Sequence, residues 1–390
     1  MPQENPLRQH FQESTRSLLP KISDPIVAAV FARANKDSHR DLILVTASND
    51  RRTRLEVLFN LGGKGFRRSK NPIAEKDAVG GIRFLAAGDL NGDGTDDLVL
   101  ITQFNRKGSA RILLNTQKGY FYSEKIRVFP VMPEGVDRVD LTDLDNDGDL
   151  DLVFTGRRVL KADGTIHDHQ VLAVINNRKQ GFQNATSLLL PPLPAGIAGT
   201  SFADFDGDGS VDIFLVYENG QNRILFNNGL GKFSDRTASA LPIIRDKSQH
   251  ADWADFDLDG DNDILVVNKK TGGKQGSSLP KICYFLENDG RGNFKRRGHK
   301  KLPSSSSRRV YLLDANGSGI PDIIILSSDG THFLTGRGGW NFVVDTGKRI
   351  PKSSRFTEMA FADIDRNGYL DIFGITSKRR AGRLWLNRFD

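Results

Sequence analysis

Short apolar runs rich in β-branched and aromatic residues recur along the whole chain, and clusters of Asp, Asn and Gly separate them. Runs of this length, bounded by turn-forming residues, are typical of β-strands. No long segment shows the apolar spacing of three to four residues that marks an amphipathic helix. The pattern therefore predicts an all-β protein built from many short strands.

An acidic turn between two apolar runs is the clearest repeat. It reads DLNGDGTDDL from Asp89, DLDNDGDLDL from Asp143, DFDGDGSVDI from Asp204 and DFDLDGDNDI from Asp255, with weaker copies at DANGSGIPDI from Asp314 and DIDRNGYLDI from Asp363. A degenerate copy, RANKDSHRDL, starts at Arg33. Seven copies at intervals of 49 to 61 residues indicate a repeat architecture rather than two or three separate domains.

A second marker runs in phase with the first: an Asn ends an apolar run and a Phe follows six residues later. The pairs are Asn60 and Phe66, Asn115 and Phe121, Asn176 and Phe182, Asn227 and Phe233, and Asn288 and Phe294, with Gly336 and Phe342 in the sixth copy. Each repeat then contains four strands, a unit that cannot bury both of its faces alone and stacks radially on its neighbours. The prediction is one seven-bladed β-propeller domain of four-stranded antiparallel blades. Its blades are expected at about 21–79, 80–133, 134–193, 194–243, 244–302, 303–351, and 352–390 together with 9–20.

The N-terminal segment is expected to complete the last blade. The seventh repeat reaches Asp390 before its fourth strand, whereas FQESTRSLLP at 11–20 repeats FSDRTASALP at 233–242 with Phe, Thr, Leu and Pro at the same spacing. A first strand paired there would close the ring without a covalent bond and cover two sheet edges. The alternative is a chance match in a terminal tail.

The acidic turns have the side chains of a hard-cation site. Oxygen-bearing side chains occupy positions 1, 3, 5 and 9 of the six better copies, and Gly stands at position 6. Calcium takes six to eight oxygen ligands in flexible geometry, and crowded carboxylates repel one another without a cation. An EF-hand is excluded, because its bidentate Glu at position 12 is replaced by Leu100, Phe154, Leu215 and Val266. Four strong and two weaker calcium sites are predicted; the alternative is a solvated acidic turn without metal.

Segments such as FADFDGDGSVDIFLV and NRILFNNGLGKFSDRT resemble the FG-GAP or VCBS repeat family, whose calcium loops are similar to those of the integrin α-subunit propeller. The resemblance covers essentially the whole chain, and it implies exported or cell-surface proteins that bind other molecules. It implies a set of calcium ligands, carried over by position: Asp89, Asn91, Asp93 and Asp97; Asp143, Asp145, Asp147 and Asp151; Asp204, Asp206, Asp208 and Asp212; Asp255, Asp257, Asp259 and Asp263; Asp314, Asn316, Ser318 and Asp322; Asp363, Asp365, Asn367 and Asp371. The first loop departs at Arg33, whose guanidinium could take the place of the metal.

Charge adds an expectation about partners. Twenty of the 48 acidic residues stand at the ligand positions of the six turns, so the remaining surface is more basic than the net charge of +7 suggests. In an antiparallel blade the hairpins between the second and third strands lie opposite the acidic turns, and they carry Arg157, Arg158, Lys269, Lys270, Arg379 and Arg380. This face is expected to bind a glycan or a protein, and its charge favours an anionic one. The alternative is ordinary solubilising charge.

Enzymatic motifs are not evident. The seven His show no zinc-protease pairing, and neither a phosphate-binding loop nor a nucleophile elbow is found. A binding module is therefore predicted, with a structural subunit of a larger surface or electron-transfer-type assembly, or a polysaccharide-acting enzyme, as alternatives.

No run is long enough to span a bilayer, and the N-terminus lacks signal-peptide features. An extracellular, periplasmic or cell-surface location is thus expected from the family resemblance alone.

Overall fold

The chain forms a seven-bladed β-propeller of four-stranded antiparallel sheets, which confirms the predicted fold class. The computed structural model describes residues 9–48, 52–70, 72–73, 81–104, 107–123, 136–156, 159–160, 166–167, 171–178, 181–270, 282–350, 355–378 and 380–389. First strands of neighbouring blades lie side by side around the central channel, and the strands run outward from there in chain order, except that the N-terminal strand is outermost in blade 7. The predicted residue boundaries between blades stay a prediction.

The N-terminal strand, β1, spans Gln9–Glu13, and the other strands group by blade. Blade 1 contains β2 (Ile26–Ala32), β3 (Asp41–Ala47), β4 (Thr53–Asn60) and β5 (Phe66–Arg68); blade 2 contains β6 (Ile82–Gly88), β7 (Asp97–Phe104), β8 (Lys107–Asn115) and β9 (Phe121–Tyr122). Blade 3 contains β10 (Val136–Thr142), β11 (Asp151–Gly156), β14 (Leu172–Asn177) and β15 (Gly181–Asn184), with a small hairpin of β12 (Val159–Leu160) and β13 (Ile166–His167). Blade 4 contains β16 (Ile197–Ala203), β17 (Asp212–Tyr217), β19 (Arg223–Asn227) and β20 (Phe233–Asp235), and β18 (Gly220–Gln221) pairs with β21 (Arg245–Asp246). Blade 5 contains β22 (Ser248–Ala254), β23 (Asp263–Asn268), β24 (Cys283–Glu287) and β25 (Lys295–Arg297); blade 6 contains β26 (Ser307–Leu313), β27 (Asp322–Ser327), β28 (Gly330–Gly336) and β29 (Phe342–Val344); blade 7 contains β30 (Phe356–Ala362), β31 (Asp371–Thr376) and β32 (Gly382–Phe389).

The hydrophobic core lies between the blades. In the described residues, seven clusters of buried side chains each join two neighbouring blades, including blades 7 and 1. The second strand of blade 4 is buried throughout, since it has a strand on each side and a blade on each face. The fourth strand of that blade buries only its opening Phe233. The recurring Phe is therefore the residue with which an outer strand contributes to the core.

The N-terminal strand completes blade 7, as predicted. It pairs with β32 so that Phe11 lies opposite Asn387, in the register that places Phe233 opposite Asn227 in blade 4. The hydroxyl of Thr15 accepts a hydrogen bond from the amide of Leu384 at 2.9 Å, and Thr237 does the same for Ile224 at 3.1 Å. The first strand thus makes the contacts that a fourth strand makes within its own blade.

In the part of the chain that the structure describes, three single-turn helices follow outer strands: α1 (Thr15–Leu18), α2 (Thr186–Leu189) and α3 (Thr237–Ala240). Each begins at a Thr, the residue that the N-terminal segment shares with blade 4. Among the described residues, no helix has the length and apolar character needed to cross a membrane.

Candidate cation loops and partner face

The acidic turns connect the first and second strands of the blades at one end of the propeller, which we call the loop face. The loop from Asp204 shows how position 1 is held. Oδ1 of Asp204 accepts hydrogen bonds from the amides of Gly207 at 2.7 Å and Asp208 at 3.2 Å, and Oδ2 accepts one from Gly209 at 2.8 Å. Gly209 has a φ of 86°, so position 6 requires the left-handed backbone that glycine adopts without strain. The loop thus folds around the carboxylate of Asp204, which binds three of the loop's own backbone amides.

The position-9 carboxylates are buried at the base of the loops. In blade 4, Asp212 accepts hydrogen bonds from the amides of Phe205 at 2.8 Å and Asn227 at 2.9 Å. Burial raises the pKa to about 7 for five of these groups: Asp97, Asp151, Asp212, Asp263 and Asp371. A raised pKa in the folded state means that folding favours the protonated form of these carboxyl groups. Without a cation, their contribution to stability is therefore fully present below about pH 4 and is lost as the pH rises through 7. A bound cation would offset that penalty.

The carboxylates at position 3 have buried oxygens with few hydrogen-bond partners. Within the described part of the chain, Oδ1 of Asp145, Asp206 and Asp257 is buried and accepts no hydrogen bond. Burial raises the pKa of Asp206, and the carboxylates of Asp208 and Asp204 raise it further. A buried anionic oxygen without a partner is costly, and a hard cation satisfies it. The donor set therefore fits calcium.

The Gly-rich turn of the next blade covers position 3. A Cβ on Gly231 of blade 4 would lie 3.1 Å from Cβ of Asp145 in blade 3, and one on Gly63 of blade 1 would lie 2.5 Å from Cβ of Asp365 in blade 7. The glycines allow the turn to approach this closely. Each of these two acidic loops is therefore part of the interface between two blades.

Carboxylate oxygens converge to within 4.8 Å of one another in four of the loops. The groups are Asp143, Asp145 and Asp151; Asp204, Asp206 and Asp212; Asp255, Asp257 and Asp259; and Asp363, Asp365 and Asp371. Among the described residues the loop from Asp89 forms no such group, although the sequence ranks it with the strong sites. Its position 3 is an amide, and Nδ2 of Asn91 donates to Asp93 at 3.3 Å. The loop from Asp363, ranked as weaker, does form one.

The loop from Asp314 offers two carboxylates only, Asp314 and Asp322. At position 5, the hydroxyl of Ser318 lies 3.5 Å from Oδ1 of Asp314 and accepts a hydrogen bond from the amide of Ile320 at 3.2 Å. This loop therefore has the smallest negative charge of the six, as its sequence predicts.

Two arginines modify the pattern. Nη1 of Arg388 lies 2.6 Å from Oδ2 of Asp365, so a guanidinium already faces position 3 of the seventh loop. In the degenerate first loop, Arg33 binds the carboxylate of Asp96 in blade 2, and Arg40 binds the same group at 2.9 Å. Arg33 thus joins two blades, and the structure places it on this neighbouring carboxylate rather than within its own loop.

The recurring Asn bridges neighbouring blades, a role that the sequence marked by repetition without explaining it. In blade 4, Nδ2 of Asn227 donates to the carbonyl of Leu144 in blade 3 at 2.9 Å and to that of Val211 at 3.1 Å. Its Oδ1 accepts hydrogen bonds from Gly229 and Gly231. The same bridge to the preceding blade is made by Asn60, Asn115, Asn176, Asn288 and Asn387. The bridge of Asn60 to Ile364 joins blade 1 to blade 7.

Asn227→Ala is expected to destabilise the protein by about 3 kcal/mol, because it leaves one buried carbonyl, one partly buried carbonyl and two turn amides without their partner. Asn228→Ala is the matched control, since the side chain of Asn228 is exposed and its Oδ1 accepts hydrogen bonds from the amides of Leu230 and Lys232 within the same turn. Melting temperatures of both variants in the same buffer check the prediction. An equal loss in the two variants would contradict the bridge.

Blade 6 replaces this bridge with a tryptophan. A Cβ at Gly336 would lie 2.3 Å from the carbonyl oxygen of Pro321, so no Asn fits there. Instead, Trp340 donates its backbone amide to the carbonyl of Phe256 at 3.3 Å and its indole Nε1 to Oδ2 of Asp257 at 2.9 Å. The indole therefore contacts the position-3 carboxylate of the fifth loop directly.

Comparison with known proteins agrees with this architecture. The FG-GAP-like repeat profile matches residues 33–100, 89–154, 204–266 and 314–374, which together make up more than half of the chain. The chain belongs to the FG-GAP-like repeat family. No curated protein matches it significantly.

Solved structures show the same fold at low sequence identity. A lectin from Agrocybe aegerita, described as recognising non-reducing terminal N-acetylglucosamine, is 18% identical over 84% of this chain and 82% of its own, with a TM-score of 0.52. Two structures of BBS1N in complex with ARL6DN, soaked with lead and with mercury, match at 13% and 12% identity over 94% of both chains, with TM-scores of 0.55 and 0.57. These similarities support the FG-GAP propeller as a fold.

The end opposite the loop face, which we call the hairpin face, carries the bases expected to bind a partner. Arg157, Arg158 and Arg379 lie outside the described residues. Lys269 and Lys270 are exposed, as the sequence predicts. Arg380 is used within the FG-GAP ring, because Nε donates to the carbonyl of Ile26 at 2.9 Å and Nη2 to that of Val27 at 3.1 Å. Arg380 therefore holds blade 7 to blade 1.

The central channel contains polar groups that the repeat pattern does not reveal. Arg309 of blade 6 binds Glu358 of blade 7 at 3.1 Å, and Thr200 of blade 4 donates to Asp140 of blade 3 at 2.6 Å. Burial lowers the pKa of His250 well below its usual value, and Arg309 and Arg138 lower it further. His250 is therefore a neutral imidazole near physiological pH, and the charges that act on it are those of Arg309 and Arg138.

Proposed function

We propose that this chain is a calcium-stabilised binding module that works outside the cytoplasm and recognises a glycan or a protein through its hairpin face. The observation that carries the calcium proposal is the buried, unpartnered Oδ1 of Asp145, Asp206 and Asp257. The side chains at positions 1, 3, 5 and 9 would hold the ion in the loops from Asp143, Asp204, Asp255 and Asp363. The loops from Asp89 and Asp314 follow as weaker candidates, because each has fewer converging carboxylates. Bound calcium would supply the positive charge that these groups lack.

The partner proposal rests on recurrence of charge. Basic residues stand in the predicted hairpins of blades 3, 5 and 7, whereas the acidic loops gather at the opposite end. Such a separation attracts an anionic partner, with a strength that falls as salt rises. A lectin and a chain from a protein–protein complex share the fold, so the architecture is compatible with either class of partner.

A paired charge reversal tests the use of the hairpin face. Arg157→Glu combined with Arg379→Glu is expected to weaken binding to immobilised heparin at low and physiological salt, measured by biolayer interferometry in calcium. The matched control is Lys118→Glu with Lys232→Glu, which reverses two exposed bases in the Gly-rich turns of the loop face. An oligomer of N-acetylglucosamine serves as a neutral glycan probe. Equal heparin binding by both reversed proteins, or no binding to either probe at any salt, would overturn the proposal.

A further inference from the structure

Blade 4 carries an open cavity of about 470 Å³ on the hairpin side, which we call the blade-four notch. Its lining combines the aliphatic side chains of Ala238, Leu241 and Ile243 with the guanidinium groups of Arg223 and Arg245. Arg223 is already paired with Asp235. The notch therefore offers an apolar wall beside one uncommitted guanidinium among its lining residues, that of Arg245.

Gln221 builds this notch. Its Nε2 donates to the carbonyl of Pro242 at 3.0 Å, and its Oε1 accepts a hydrogen bond from the amide of Ile244 at 2.6 Å. The two bonds clasp the chain on either side of Ile243, and β18 pairs with β21 directly beyond it. Ile243 is consequently held in place with 90% of its surface exposed. An isoleucine fixed in solvent by a side-chain clamp is suited to be the anchor of an interface.

The surroundings of Ile243 are basic. Along the link, Arg245 and Lys247 are exposed, whereas Asp246 between them is turned inward to hydrogen bonds with Ser248 and Asn268. The amide of Lys269 donates to the carbonyl of Lys247 at 2.9 Å, which brings the exposed Lys269 and Lys270 beside the link. Among the described residues, none of these four bases forms an ion pair, and the hairpin of blade 4 contributes one exposed acid, Glu218.

We propose that the blade-four notch binds an acidic peptide segment of a partner protein, with an aliphatic residue packed on Ile243 and carboxylates on Arg245 and Lys247. This rests on the proposed function, since it uses the hairpin face and names the class of partner. The lining favours a peptide over a sugar, because its described residues include no aromatic ring on which the C–H face of a sugar could pack. Charge complementarity selects an acidic segment.

The test uses an array of short peptides that alternate Glu with Leu, Ile or Gly, together with matching Lys–Leu peptides, probed with the calcium-loaded chain. Glu–Leu and Glu–Ile peptides are expected to bind more tightly than the other two sets. Ile243→Ser should weaken their binding about tenfold and leave Glu–Gly peptides unchanged, whereas Arg245→Glu should weaken all acidic peptides.

Blade 4 also provides matched controls. Leu230, which is 77% exposed, and Lys232 have the same two-residue spacing in the Gly-rich turn on the loop face. Leu230→Ser and Lys232→Glu should leave binding unchanged. If they reduce it as much as the notch variants do, or if no acidic peptide binds, the proposal for the notch is wrong. Heparin binding that depends on Arg157 and Arg379 would then still support the hairpin face, and its absence would remove both proposals.

Discussion

A chain that starts at Lys21, without the first strand, is expected to melt about 10 °C or more below the parent protein. The deletion removes the partner of β32 and exposes a sheet edge whose residues include Trp385 and Asn387. It also removes Phe11, which is packed at 6.1 Å between ring centroids against Phe333 of blade 6. Blade 7 then loses contacts in its own sheet and to its neighbour.

Point variants and a rescue separate strand pairing from other effects of truncation. Phe11→Ala should cost about 3 kcal/mol or more, as expected for a buried Phe, and Gln12→Ala, at the next and exposed position, should cost little. Residues 11–20 can also be moved to the end of the chain, where a copy of the blade 4 turn at 228–232 replaces residues 388–390 and joins them to Asn387. Five residues separate Asn227 from Phe233, so a five-residue turn after Asn387 preserves the pairing with Phe11. The permuted chain is expected to recover most of the lost stability. An unchanged melting temperature on deletion would show that the first strand is dispensable.

The sequence correctly predicted those parts of the structure whose sequence pattern recurs along the chain. The acidic template, the Asn and Phe markers and the N-terminal match with 233–242 each recur, so chance resemblance at one site does not affect the interpretation. Repetition is informative because every blade presents the same two faces to its neighbours and must solve the same packing problem. The fold and the location of the loops follow from that alone.

Structural features that occur in only one blade could not be predicted from the repeat pattern. Trp340 replaces an Asn bridge only because a Cβ at Gly336 meets the carbonyl of Pro321, and that contact depends on the local backbone. Gln221 gives no signal in the sequence, since its clamp closes on a link about twenty residues away. Arg380 has the sequence context of a free base, whereas its side chain binds carbonyls of blade 1. Side-chain direction and neighbours distant in sequence decide such cases.

Removal of calcium is expected to have the largest effect on the whole protein. A site half-saturated at one hundredth of the calcium concentration contributes about 2.7 kcal/mol, and several sites act together. Excess chelator should therefore lower the melting temperature by about 10 to 20 °C, measured by calorimetry at constant ionic strength. A magnesium arm controls for general screening of charge, since magnesium demands a tighter octahedral shell. Identical melting in calcium, magnesium and chelator would contradict the calcium sites.

Single loops can be tested with a substitution whose effect on the melting temperature changes sign between chelator and calcium. Asp206→Asn removes a negative charge whose buried Oδ1 has no partner, so it should raise the melting temperature in chelator. In calcium the same substitution removes a ligand and should lower it, because the ion is then held by one carboxylate fewer. Glu218→Gln, at an exposed position outside the loops, should show no such reversal. The indole of Trp340 in blade 6 donates a hydrogen bond to Asp257 in the loop of blade 5. The fluorescence of Trp340 should therefore also change on calcium addition, and Asp259→Asn should weaken that change. A carboxylate that only shapes its turn would destabilise the protein on substitution in both buffers, so a reversal of sign is what separates a cation ligand from a structural acid.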